Sequence, residues 1–195
     1  MLKKIEFSAL LIIAALLVHR FVAGTDLQVL LRILLTLLSI FYLWFSFFLF
    51  NKTGLLSLFN SKFRQSVPAI RIIFSVTMGF VYSFSFVALL FAVSFYPGMN
   101  NFIIISIIIN ILALFSTLII GYYRREHQKY LLQFTIRSFI LASLFAVYLH
   151  IPVNQKLQLL FNDHPSFIEA YNEYLSDPDN PEIQERLREE RSAFR

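Results

Sequence analysis

Four histidines, His19, His127, His150 and His164, are the residues of this sequence best suited to proton transfer or metal ligation near neutral pH. No two of them stand three or four positions apart, the spacing that would set a pair on one helix face for a metal ion. His127 sits beside Glu126 in a basic loop, where solvation explains it. His150 and the His19-Arg20 pair close apolar runs, where a polar anchor at a membrane surface is the simpler account. Cysteine is absent, which removes disulfides, thiolate metal sites, iron–sulfur clusters and cysteine nucleophiles. No Gly-x-Ser-x-Gly elbow occurs, and no glycine-rich phosphate loop carrying a lysine. The residues therefore offer no catalytic, cofactor-binding or metal-ligating constellation, and no cofactor is implied. A membrane-embedded enzyme, with His150 or His164 as its acid–base group, is the least supported class.

A transporter or channel needs polar or ionisable groups deep in its apolar runs. Asn110 is the strongest such residue, with Ser106 and Ser83 as its companions. Glu6, Asp26 and Glu126 all lie at run edges, so proton coupling has no obvious carrier. A lone membrane asparagine more often joins helices than binds a solute.

These residues are embedded in an unusually apolar chain. Of its 195 residues 57% are hydrophobic, with 23 Phe against 5 Gly, and the mean hydropathy is +0.66. Five apolar runs, about 5–22, 29–50, 70–95, 102–120 and 132–151, have the roughly 20 residues that cross a hydrocarbon core. The third and fourth are joined by Tyr96-Pro97-Gly98-Met99-Asn100-Asn101, an uncharged turn, so this pair reads as a transmembrane hairpin. The expected fold is all-α: a polytopic bundle of about five transmembrane helices over 1–153, followed by a charged helical tail over 154–195. A cleavable signal peptide is the alternative for the first run, but His19-Arg20 interrupts the approach to the cleavage site.

Small residues recur every four positions at Ser75, Gly79 and Ser83, a stripe that lets helix backbones approach in lipid. Asn110, Ala113, Thr117 and Gly121 form a similar stripe in the fourth run, and Ser138, Ala142 and Ala146 in the fifth. The expectation is a packed centre built from runs three to five, with the first two peripheral. Arg137, inside the fifth run, is expected to snorkel to the surface. Between runs two and three, Leu55, Leu56, Phe59 and Phe63 share one side of a short amphipathic helix lying in the interface.

Charge divides the chain. Residues 1–153 carry 12 Lys/Arg and 3 Asp/Glu, whereas 154–195 carry 5 and 9. The basic excess lies in short loops, which orients the helices and leaves no folded basic face for nucleic acid. Ten Lys/Arg on one set of run ends (Lys3, Lys4, Lys52, Lys62, Arg64, Arg71, Arg124, Arg125, Lys129, Arg137) face three on the other (Arg20, Arg32, Lys156). This places the N-terminus in the cytoplasm and the tail outside, in a bacterial inner membrane.

The tail predicts two short helices: Phe167 to Leu175, and another capped by Asn180 with Pro181 first. Ion pairs Glu182–Arg186, Arg186–Glu190 and Glu185–Arg188 are expected along the latter. Two helices of this size bury no core of their own, so Phe167, Tyr171, Tyr174 and Leu187 are expected to face a partner. The function that follows is a non-catalytic integral membrane subunit or accessory factor of a larger membrane complex. It would contact the lipid bilayer and a membrane-protein partner or a second copy. A small transporter or channel for a neutral solute is the alternative.

Overall fold

The computed structural model describes residues 2–23, 28–53 and 67–192, and its regular elements are all helical. In chain order they are α1 (Leu2–Ala23), α2 (Gln28–Asn51), α3 (Ala69–Ser94), α4 (Met99–Tyr123), a 3-10 turn (Arg125–His127), α5 (Gln128–His150), α6 (Val153–Phe161), α7 (Pro165–Ser176) and α8 (Pro181–Ser192). The interfacial helix expected around Leu55–Phe63 lies outside the described residues.

Among the described residues, four stretches are long and apolar enough to cross a membrane: α2, α3, α4, and Arg125–His150, which contains α5. The protein is thus an all-helical membrane bundle, with four candidate spans among the described residues.

The bundle's surface is inverted relative to a water-soluble protein. Helix α4 exposes Ile104, Ile105, Ile108, Leu112, Phe115 and Ile119, and buries Ser106, Asn110, Ala113, Thr117 and Gly121. Lipid is as apolar as leucine, so large aliphatic side chains gain nothing by turning inward. Small and polar residues gain close contact and hydrogen-bond partners. The α3–α4 turn closes with Tyr96 N–H on the Phe91 carbonyl at 3.1 Å and Phe95 N–H on the Ala92 carbonyl at 3.4 Å. Phe95 takes the left-handed conformation that glycine usually supplies there, and its full burial offsets the strain.

The chain forms two compact units: Met1–Leu11 with Arg32–His150, and Ile12–Leu31 with Ile151–Arg195. In the first, α4 packs extensively on both α3 and α5. Thr117 and Thr135 share a hydrogen bond at 2.9 Å, and the Tyr148 hydroxyl donates to the Ala92 carbonyl at 3.0 Å. The Ser75–Gly79–Ser83 stripe packs against α2. Ser39 Oγ donates to the Ser83 carbonyl at 3.1 Å, and Asn51 Nδ2 to Ser75 Oγ at 3.3 Å. Gly79 lies against Tyr42 and Ser46. The second run is therefore an antiparallel core partner of the third, not a peripheral helix. Its long aromatic stretch hid the face bearing Ser39 and Ser46.

In the second unit, α6 was not anticipated, although Leu157, Leu160 and Phe161 have helical spacing and are all buried. Gln28 Nε2 donates to the Leu160 carbonyl at 3.4 Å. Phe161 and Phe167 rings pack at 4.5 Å, and the Arg191 guanidinium lies over Phe167. The Asn180 cap forms, its Oδ1 accepting from the Glu182 N–H at 3.0 Å.

Burial raises the Tyr171 phenol above its ordinary 10.0; Arg191 opposes this and Tyr174 adds to it. The folded tail therefore keeps this proton to a higher pH than the unfolded chain. Its contribution is intact below about pH 10 and is lost as pH rises from there through the folded value. Tail unfolding followed by circular dichroism should weaken above that pH, and Tyr171→Phe should flatten the alkaline fall. Equal slopes in the two proteins would contradict the assignment.

Candidate functional site

The chemically richest place in the bundle begins with an acid in the second turn of α1. Glu6, only 4% exposed, is bidentate with Arg137 of α5: Nη1 binds Oε1 at short range, and Nη2 donates to Oε2 at 3.2 Å. The Tyr42 hydroxyl of α2 donates to the same Oε1 and accepts from Arg137 Nη1 at 3.1 Å. Arg137 also lies over the Phe50 ring, 5.0 Å from its centroid. Tyr42 in turn stacks on Phe86 at 5.3 Å and meets Tyr82 edge-on at 5.5 Å. Three helices thus converge on one charge pair walled by aromatic rings.

The driving force is solvation. Within an apolar bundle a lone guanidinium or carboxylate costs several kcal/mol, and a bidentate pair with extra hydrogen bonds recovers much of it. Arg137, expected to snorkel, is held by Glu6, with its side chain still 28% exposed. Sequence reading set Glu6 aside as a run-edge residue. One isolated acid and one isolated arginine in two apolar runs was the signal that could have joined them.

Asn110 is fully buried and central to a second cluster. Its Nδ2 donates to Ser85 Oγ at 2.8 Å and to the Ser106 carbonyl at 2.8 Å; Ser106 Oγ reaches Ser85 Oγ at 3.0 Å. Asn110 Oδ1 is buried without a hydrogen-bond partner. Of the expected companions Ser106 is present, but Ser83 is not. Ser83 shares a 2.9 Å hydrogen bond with Ser39, and Ser85 takes its place beside Asn110.

Comparison with family models, curated proteins and solved structures finds no match. The site's meaning has to come from its own geometry.

Of the residues expected to meet a partner, Phe167, Tyr171 and Leu187 are buried and Tyr174 is half-buried within the chain. The tail sequence predicts two helices. A third, α6, together with Ile12–Leu31, completes a unit that covers them. The exposed face of α8 instead presents Glu185, Arg188 and Glu189. His150 ends α5 with Nδ1 donating to the Ala146 carbonyl at 3.0 Å. Among the described residues, no group of three or more His, Asp or Glu is close enough to hold a metal ion.

Proposed function

We propose that this protein is a non-catalytic integral membrane subunit, an accessory or assembly factor whose bundle is a scaffold. The carrying observation is that the one acid–base pair joining bundle helices among the described residues is closed on itself: Glu6 and Arg137 are spent on one another and on Tyr42. A proton or ion pathway needs such groups poised towards a solute, whereas a scaffold uses them to fix helix register. In this reading the partner contact shifts from the buried aromatic stripe to the exposed charged face of α8. The bias of Lys and Arg favours a cytoplasmic N-terminus in a bacterial inner membrane, with the tail outside.

The test is purification from the native membrane in mild detergent, with mass analysis of what stays bound. A stoichiometric companion or second copy is expected, released by the surface reversal Glu185→Lys/Arg188→Glu/Glu189→Lys. A single monomeric species would overturn the proposal.

The unpartnered Oδ1 of Asn110 favours a second reading, a small transporter or channel for a neutral solute. Solute flux into liposomes holding only this protein, abolished by Asn110→Leu, would select it.

A further inference from the structure

A cavity of about 400 Å³ opens at one end of the bundle, lined by Lys3, Phe50, Asn51, Lys52, Arg71, Lys129, Tyr130 and Gln133. Four of these eight residues are cationic, and no acid is among them. They come from four different helix ends: the first turns of α1, α3 and α5, and the last turn of α2 with the residue after it. Like charges repel, and a scaffold would gain nothing by gathering four of them around a hollow. An anion resolves the repulsion.

The polar groups of the cavity are partly organised in advance. The Arg71 guanidinium lies over the Tyr130 ring, 5.0 Å from its centroid, and the Tyr130 hydroxyl donates to the Arg71 carbonyl at 3.1 Å. Arg71 Nε is buried and donates to no acceptor. Asn51 is held by its Nδ2 on Ser75 and on the Phe47 carbonyl, the latter at 2.9 Å. A planar guanidinium fixed by a ring and flanked by exposed lysines suits a tetrahedral, multiply charged oxyanion better than a single carboxylate.

We propose that this cavity binds a phosphate group, carried either by an anionic membrane lipid or by a soluble phosphate compound. Its place at the ends of apolar helices lets a lipid headgroup enter while the acyl chains stay against the bundle's aliphatic surface. Recognition of a phosphate here requires neither a partner protein nor a catalytic step, so it stands apart from the scaffold reading.

The experiment titrates the purified full-length protein in detergent with three probes: dioctanoyl phosphatidic acid, dioctanoyl phosphatidylcholine and inorganic phosphate. Arg71→Gln/Lys129→Gln should weaken phosphatidic acid binding about thirty-fold, roughly a factor of five per cation removed. Lys3→Gln/Lys52→Gln, which alters only exposed side chains, should weaken it as much and serves as the test where the first pair disturbs folding. Arg124→Gln/Arg125→Gln removes two exposed cations outside the cavity and should change binding less than twofold. Competition by millimolar inorganic phosphate would identify a soluble ligand; its failure would identify the lipid. Equal losses in cavity and control variants, or equal binding of the two lipids, would overturn the proposal.

Discussion

Arg137→Ala should destabilise the bundle by about 3–5 kcal/mol, because it leaves the Glu6 carboxylate buried with no counter-charge. The Tyr42 hydroxyl alone cannot replace two guanidinium donors, and Glu6 is too enclosed for water to compensate. Glu6→Ala should cost a similar amount by stranding Arg137 over Phe50. The informative protein is the double variant Glu6→Gln/Arg137→Gln. It removes both charges, keeps side-chain length and leaves polar groups able to hydrogen-bond, so it should recover much of either single loss. Measured with the single variants Glu6→Gln and Arg137→Gln, it closes a cycle whose interaction term a pair of independent residues would not show. Unfolding by increasing dodecyl sulfate in mixed micelles, followed by circular dichroism, supplies the numbers. Strictly additive losses would mean that the pair contributes nothing as a pair. Partner retention by the double variant would further separate structural need from function.

Gly79→Ala should be the most damaging glycine-to-alanine change among the described helix residues. A Cβ there would lie 2.1 Å from Ser46 Oγ, 2.5 Å from Ser46 Cβ and 2.8 Å from the Tyr42 carbonyl oxygen. Rotating Ser46 relieves only the first contact; the other two require α2 and α3 to separate. That movement lengthens the Ser39–Ser83 and Asn51–Ser75 hydrogen bonds and pulls Tyr42 from Glu6. Overpacking alone costs about 1–3 kcal/mol, and the attached network adds to it. Ser46→Gly should rescue part of the loss, since it clears the side-chain contacts but not the Tyr42 carbonyl. Gly121→Ala is the control. Its Cβ would meet nothing nearer than Leu131 Cδ1 at 3.9 Å, so the helix propensity of alanine should make it neutral or mildly stabilising. A Gly79→Ala protein as stable as the parent would rule out the close helix approach.

The contrast between those two glycines marks the limit of what sequence can say. Both belong to stripes of small or polar residues at three- or four-residue spacing, and both are buried on a helix face. Spacing identifies the face but carries no distance to the neighbour, and only the neighbour makes a methyl harmful. The choice of neighbour was likewise invisible: nothing in the Ser75–Gly79–Ser83 pattern distinguishes α2 from α4 as its partner. Arg186 shows the same thing outside the bundle. Its expected partners within the helix were Glu182 and Glu190, yet it pairs with Glu173 at 2.7 Å and Glu169 at 3.4 Å on α7. Glu190 accepts from Ser166 instead, while the Glu185–Arg188 pair forms within α8 at 3.4 Å.

What the sequence by itself determined is the class of molecule. Hydropathy, run length and the Pro-Gly turn are local or additive properties, so they yield an all-helical membrane protein, its spans from the second run onward, and the Asn180 cap. The tertiary structure decided which isolated polar groups meet. Glu6, Tyr42 and Arg137 are far apart along the chain, and each alone has a harmless explanation as an edge acid, an aromatic or a snorkelling cation. Burial in an apolar bundle removes those explanations, because an ionised group without water must find its complement. The cavity of Lys3, Lys52, Arg71 and Lys129 follows the same rule from the opposite side. Sequence reading saw four orientation markers there, and folding turned them into one concentrated positive field.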